Sequence, residues 1–194
     1  FTRDASSSVY DRVLINSMSF DVRKRENLIY KSIFKHPLKC EVMNAQDWNP
    51  SAHTEGGDVQ IGRPDLLCIG EGIRTDAKGI QFLANTFSDR PKFNIIVQQL
   101  PHHPESFIHL DMVYTFLDRD RCMIYEPMLR KTAEFVGKSA TWIEIDGGKI
   151  KYHECKDMLD ALKHVGLEME PVFCGGDDLW MQQREQWHSG ANFF

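Results

Sequence analysis

Short β-type runs alternate along this chain with stretches of helical periodicity, and that alternation narrows the folds open to it more than any other feature. Residues 66–70, 94–98, 112–117, 122–125 and 141–145 are rich in branched or aromatic side chains and read as strands. Asp118-Arg119-Asp120-Arg121 sits between two of these runs and predicts a hairpin turn, while Asp146-Gly147-Gly148 closes another strand. After Thr75 or Asp76 as a cap, Ile80, Leu83 and Phe87 fall at helical spacing. Met158, Leu159, Leu162 and Val165 form one apolar helical face, with Gly166 placed to stop it. Asp177 or Asp178 can cap a helix running toward Trp187, and Lys24–Lys35 is a further candidate that Pro37 would end. Strands, then a helix, then strands again imply an α/β or α+β domain, with no low-complexity linker to divide it.

At 194 residues the chain suits one domain with a core of its own. Its net charge of -5 lacks the clustered Lys and Arg of a nucleic-acid surface and gives a cationic substrate only weak steering. No apolar run approaches the length of a membrane span. Cys40, Cys68, Cys122, Cys155 and Cys174 are irregularly spaced without a C-x-x-C pair, so neither a zinc site nor a disulfide framework is expected. Thiols inside apolar runs such as Leu66-Leu67-Cys68-Ile69 read as small buried hydrophobes, which fits a reducing cytoplasm. The chain opens on Phe1 rather than Met, so a longer parent polypeptide is expected.

Four short motifs carry candidate chemistry: Phe1-Thr2-Arg3-Asp4, Glu55-Gly56-Gly57-Asp58, Gly72-Ile73-Arg74-Thr75 and His109-Leu110-Asp111. Alternation along a strand would send His109 and Asp111 to one face. The paired glycines would let a ligand or another segment come close. Each motif alone also fits a surface turn, a polar strand start or a salt-bridged helix start. Taken in order, with Val113 and Thr115 following the third acidic motif, they resemble the arginine deiminase family of guanidine-modifying enzymes. The resemblance runs from Phe1 to the tail Gln186-Trp187-His188-Ser189-Gly190-Ala191-Asn192.

That resemblance implies an α/β fold, a partial α/β propeller or pentein-type fan of ββαβ modules, here incomplete at both ends. It implies a single partial catalytic domain over residues 1–194, without the first module, the inserted helical bundle or the C-terminal nucleophile loop. The implied reaction is hydrolysis of free L-arginine to L-citrulline and ammonia through a covalent cysteine intermediate, with no metal or cofactor. Asp4 and Asp111 match the carboxylates that hold the guanidinium, His109 the acid and base, and Glu55 the carboxylate beside it. Arg23 and Arg74 match the arginines that grip the substrate α-carboxylate, standing an arginine's length from the carboxylates, and Phe1 would line the pocket. None of the five cysteines lies in the family's nucleophile motif, so the chain alone is expected to be inactive. The alternatives are another guanidine-modifying hydrolase or amidinotransferase, and a non-catalytic arginine-binding relative. A homo-oligomer is possible; a nucleic-acid or membrane partner is not expected.

Overall fold

The computed structural model describes residues 2–129 and 139–192. A single helical turn, α1 (Thr2–Ala5), leads into strands β1 (Ser6–Val9) and β2 (Arg12–Ile15), helix α2 (Lys24–Lys35), β3 (Val42–Asn44) and the short α3 (Ala45–Trp48). Next come β4 (Val59–Arg63), β5 (Leu66–Glu71), α4 (Ala77–Thr86) and β6 (Phe93–Gln99). The hairpin of β7 (Tyr114–Phe116) and β8 (Arg121–Ile124) is followed by that of β9 (Ala140–Asp146) and β10 (Lys149–Cys155). Helix α5 (Met158–His164), β11 (Glu170–Phe173) and α6 (Leu179–Trp187) complete the described elements.

Among the described residues the strands form three sheets, ordered β1-β2-β3, β10-β9-β6-β5-β4 and β11-β8-β7. In the five-stranded sheet β5 and β6 are parallel, while β4 and β9 run antiparallel to them and β10 is antiparallel to β9. Both faces of this sheet are covered. Leu67, Ile69, Ile95, Val97, Ile143 and Ile145 pack with Ile80 and Leu83 of α4 and with Phe87 just after it. Leu66, Cys68 and Ile96 turn the other way, toward Met158, Ala161 and Leu162 of α5 and Tyr114 and Ile124 of the third sheet. Residues that alternate along a strand therefore serve two different cores. For β5 and β6 this accounts for the near-continuous apolar run seen in the sequence.

The α/β class holds, and so do the four helices. The Asp76 side chain accepts from Gly79 N at the start of α4, and Asp178 does the same from Met181 N for α6. Asp157, not singled out from sequence, caps α5, and Gly166 follows that helix with φ +74°. Gly147 and Gly148, both at positive φ, turn the β9–β10 hairpin as expected. The run at 112–117 is shorter than expected: Leu110–Met112 forms a 3-10 turn, and the strand begins only at Tyr114. Strands β1, β2, β3, β4, β10 and β11 escaped the pattern because they are short or polar. β10 lies at a sheet edge, where its Lys-rich exposed face suits solvent. Among the cysteines, Cys68, Cys122, Cys155 and Cys174 are buried free thiols, while Cys40 is half-buried. Among the described residues no helix is long and apolar enough to cross a membrane.

Gly79 tests how tightly α4 is set. Alanine in a helix interior ordinarily gains about 1 kcal/mol over glycine, but a Cβ here would collide with the His53 carbonyl oxygen. Gly79→Ala should therefore lower the melting temperature, and a rise would show that this helix–loop contact yields easily.

Candidate active site

Strand directions explain why distant motifs meet. Because β5 and β6 are parallel neighbours, the loops that follow them leave from the same edge of the sheet. The loop after β5 carries Arg74 and Thr75, and the longer segment after β6 carries His109 and Asp111. β4 is antiparallel to β5, with Val59 opposite Ile69, so the Glu55–Asp58 segment that precedes it starts at that edge too. The one-turn helix bearing Asp4 then closes onto this segment, where Gly57 N donates to Asp4 Oδ1 at 3.2 Å.

The paired glycines permit that approach. A Cβ on Gly56 would strike the backbone of Arg3, and one on Gly57 would lie 2.6 Å from the His109 ring. Arg3 Nε also donates to Gly56 O at 2.9 Å. Glycine is required here for contact with other segments rather than for a left-handed turn.

Glu55 is the centre of the cluster and is fully buried, at 0% exposure. Its Oε2 lies 3.0 Å from His109 Nε2, 3.1 Å from Arg74 Nη1 and 3.4 Å from Arg23 Nη1. Its Oε1 accepts from Ser19 N and Ser19 Oγ, both at 3.2 Å. Arg23 Nη1 also meets Asp4 Oδ2 at 3.0 Å, while Arg23 Nε and Nη2 form a two-pronged pair with Glu26 at 2.8 and 3.0 Å. The Arg74 guanidinium rests over the Phe20 ring, 4.4 Å from its centroid. Asp111 meets Arg3 Nη2 at 3.4 Å through Oδ2, and its Oδ1 is buried with no hydrogen-bond partner. Asp111 and Arg3 line a cavity of about 620 Å³ shared with Gln60, Thr115, Phe116 and Asn192. Asp4, Glu55 and His109 do not line it and sit in the buried cluster alongside.

The structure thus brings Asp4, Glu55 and His109 together, with Asp111 joined through Arg3 and through its charge. His109 and Asp111 do not share a strand face as expected; they flank the start of the 3-10 turn, His109 extended and Asp111 within the turn. Arg23 and Arg74 also depart from expectation. They do not stand an arginine's length away but bind the site's own carboxylates. A buried carboxylate left without a counter-charge is costly, and these are the cations within reach. Phe1 lies outside the described residues.

Two partners were not read as functional from the sequence. Asp58 is fully buried, accepting from Thr75 Oγ1 at 2.6 Å and from Leu110 N at 2.9 Å. Thr75 Oγ1 in turn accepts from Glu55 N at 3.2 Å. Asp58 so ties the Glu55 segment to Thr75 and to the residue after His109. Its place in the same motif as Glu55 was the available signal.

The electrostatics follow from this packing. Burial opposes charge on His109, but the Glu55 hydrogen bond and the Asp58, Asp4 and Asp111 carboxylates outweigh it and raise the imidazole above its usual range. Burial also works against the Glu55 carboxylate, yet the His109 bond, the Arg74 and His109 charges and the Ser19 amide hold it below its usual range. For Asp58 burial wins: the carboxyl is pushed up to about 7 despite His109, Thr75 and the Leu110 amide. Burial raises Asp111 as well, with Asp4 adding to it against His109 and Arg3. A basic imidazole beside an ionised glutamate can deliver a proton and take one back. Oxygen and nitrogen atoms of Asp4, Glu55 and His109 lie within 4.8 Å of one another, the spacing of a metal site. The Arg23 and Arg74 guanidinium groups on the same carboxylates make it a poor seat for a metal ion.

These shifts set a pH dependence of stability. Between its ordinary 3.8 and about 7, native Asp58 keeps a proton that the unfolded chain has released, so stability falls as pH rises through this window. His109 acts in the same sense: its contribution is full below its ordinary 6.5 and is lost as pH rises through its higher native value. Glu55 contributes above its ordinary 4.5 and loses that contribution as pH falls through its lower native value. Melting temperature should therefore decline from pH 5 to pH 8. Asp58→Asn should flatten that decline, removing up to about 1.4 kcal/mol per pH unit below pH 7. An unchanged slope in the variant would mean that Asp58 is already ionised near pH 5.

Comparison with known proteins places this chain in a family. The family described as arginine deiminase matches residues 1–194. The arginine deiminases of Latilactobacillus sakei and Bacillus cereus are each 34% identical to this chain, over 99% of it and 48% of their own length. The chain spans about half the length of the curated relatives it matches. Its fold is similar to the substrate-bound N-terminal domain of ArgZ, an arginine dihydrolase from the ornithine–ammonia cycle in cyanobacteria. The TM-score is 0.62 at 15% identity, covering 99% of this chain and 56% of that one.

Proposed function

This chain belongs to the arginine deiminase family, and from that premise we propose that its site serves the hydrolysis of free L-arginine to L-citrulline and ammonia in a complete polypeptide of the relatives' length. The observation that carries the reading is the buried His109–Glu55 pair set beside two further carboxylates, Asp4 and Asp111. In the complete polypeptide, further ββαβ modules would extend the three sheets into the fan that the resemblance implies.

Asp4 and Asp111 would hold the substrate guanidinium through charge-assisted hydrogen bonds. A cysteine thiolate attacks the guanidinium carbon, and protonated His109 gives its proton to the departing ammonia. The carbon–nitrogen bond breaks and an amidino thioether remains on the enzyme. Neutral His109 then takes a proton from water as the water oxygen adds to the same carbon. Collapse expels the thiolate and leaves the ureido group of citrulline. Glu55 favours the imidazolium in the first step and orients the ring in both. No step in the scheme calls for a metal or cofactor.

The nucleophile in this reading is none of the five cysteines here. No thiol is among the hydrogen-bond or ion-pair partners found for Asp4, Glu55, His109 and Asp111. Burial raises the thiols of Cys68, Cys122, Cys155 and Cys174, which disfavours the thiolate. Arg23 and Arg74 would take the α-carboxylate, releasing Asp4 and Glu55 as the substrate guanidinium replaces their own charge. Phe1 would line the pocket.

The complete polypeptide should form citrulline from arginine, whereas the pure 194-residue chain should form none above background. Steady turnover by the chain alone would identify one of its own cysteines as a nucleophile. Turnover of methylated arginines in place of arginine would move the assignment to a related guanidine hydrolase, and ligand binding without turnover by the complete polypeptide would make it a binding protein. In the complete polypeptide, Arg74→Ala should weaken arginine by on the order of 2–5 kcal/mol and weaken agmatine, which lacks the carboxylate, much less. Equal losses for the two ligands would assign Arg74 to holding Glu55 alone.

A further inference from the structure

A second cluster of donor atoms lies away from this site, where β10 ends and α5 begins. The Cys155 thiol, an Asp160 carboxylate oxygen and an imidazole nitrogen of His164 all lie within 4.8 Å of one another. Asp160 and His164 are four residues apart on α5, so they share the helix face that overlies the end of β10. We propose that Cys155, Asp160 and His164 form a binding site for a borderline divalent cation, Zn²⁺ by its sulfur, nitrogen and oxygen donors, with water completing the coordination.

Three features prepare the residues for that role. Asp160 is held by one oxygen, since Oδ2 accepts from Lys156 N at 3.0 Å, while Oδ1 lies 3.8 Å from His164 Nδ1. The His164 ring is fixed over the helix by a 2.8 Å hydrogen bond in which Nδ1–H donates to the Asp160 carbonyl oxygen, leaving the Nε2 lone pair for a metal, and Trp142 stands 6.3 Å from the ring as a wall. The Cys155 thiol donates a long contact, 3.8 Å, to the His153 carbonyl oxygen and accepts from the Trp142 backbone amide, a bond that a metal-bound sulfur keeps. Little hydrogen bonding is therefore lost when sulfur takes a metal. The nearby lysines do not stand unopposed: Lys156 faces Asp157 at 3.8 Å, and Lys163 pairs with Glu168 at 3.1 Å. Magnesium and calcium, which prefer all-oxygen cages, do not suit this donor set. Zinc accepts all three donor types and tolerates three protein ligands plus water.

The test uses the purified 194-residue chain with Co²⁺ as the spectroscopic probe and Zn²⁺ in competition. One equivalent of Co²⁺ should bind and give a near-ultraviolet sulfur-to-cobalt charge-transfer band that Zn²⁺ abolishes. Cys155→Ser should remove the band. His164→Ala, at an exposed position, should leave the fold intact by circular dichroism and weaken Zn²⁺ by at least about tenfold, the loss typical even of outer-sphere partners. Zn²⁺ should also raise the melting temperature of the parent chain more than that of His164→Ala. The sulfur band separates this site from the Asp4–Glu55–His109 cluster, which offers no thiol. Absence of one-to-one binding, binding without a sulfur band, or affinity unchanged in His164→Ala would overturn the proposal. Should Cys155→Ser fail to fold, His164→Ala alone decides.

Discussion

A carboxylate with no exposure to water has to be met by positive charge, and the chain around Glu55 is arranged to meet it. Three separate stretches supply that environment: Ser19 and Arg23 just before α2, Arg74 after β5, and His109 well beyond β6. Removing a partner would leave part of that buried charge uncompensated, so these segments depend on one another. The glycines beside Glu55 belong to the same constraint, because a side chain at either position would push α1 or the His109 ring away. The Asp58 hydrogen bonds then fix the Glu55 segment to Thr75 and Leu110.

The central sheet turns this local requirement into a fold-level one. Two parallel strands deliver their following loops to one edge, and an antiparallel third delivers its preceding segment there. Candidate site residues can then occupy loops while the middle of β5 and of β6 stays apolar and packed on both faces. That division of labour separates Cys68 and Ile96, which serve the core, from Arg74 and His109, which serve the site.

Much of this was legible in the sequence because the signals were local. Asp76 and Asp178 are caps with one geometric job, Gly147-Gly148 turns a hairpin, and the β5 and β6 runs have the composition of strands buried on both sides. Asp4, Glu55 and His109 were legible through the spacing and order of motifs. What stayed hidden depended on partners far along the chain. β1, with three serines among four residues, is a strand because β2 pairs with it. Residues 110–112 turn rather than extend because Asp58 takes the Leu110 amide. Arg3, Ser19 and Asp58 look like surface polar residues until the sheet edge gathers them.

Arg23 and Arg74 show most directly how packing altered an expectation drawn from residue type. A motif can say that an arginine belongs to a site, but not which anion it faces. The nearest unpaired charge decides that, and here it is the buried Glu55 with Asp4 beside it. On the proposed reading the two arginines and the substrate guanidinium compete for the same carboxylates, so the site keeps its charge balance through an exchange. An incoming cation takes Asp4, the displaced guanidinium groups need an anion, and the α-carboxylate of the same molecule supplies one. A ligand carrying only the cationic end displaces the arginines without giving them a new partner. Discrimination between an amino acid and its decarboxylated amine would then arise from the cost of leaving Arg23 or Arg74 unpaired, a penalty larger than the value of one added contact.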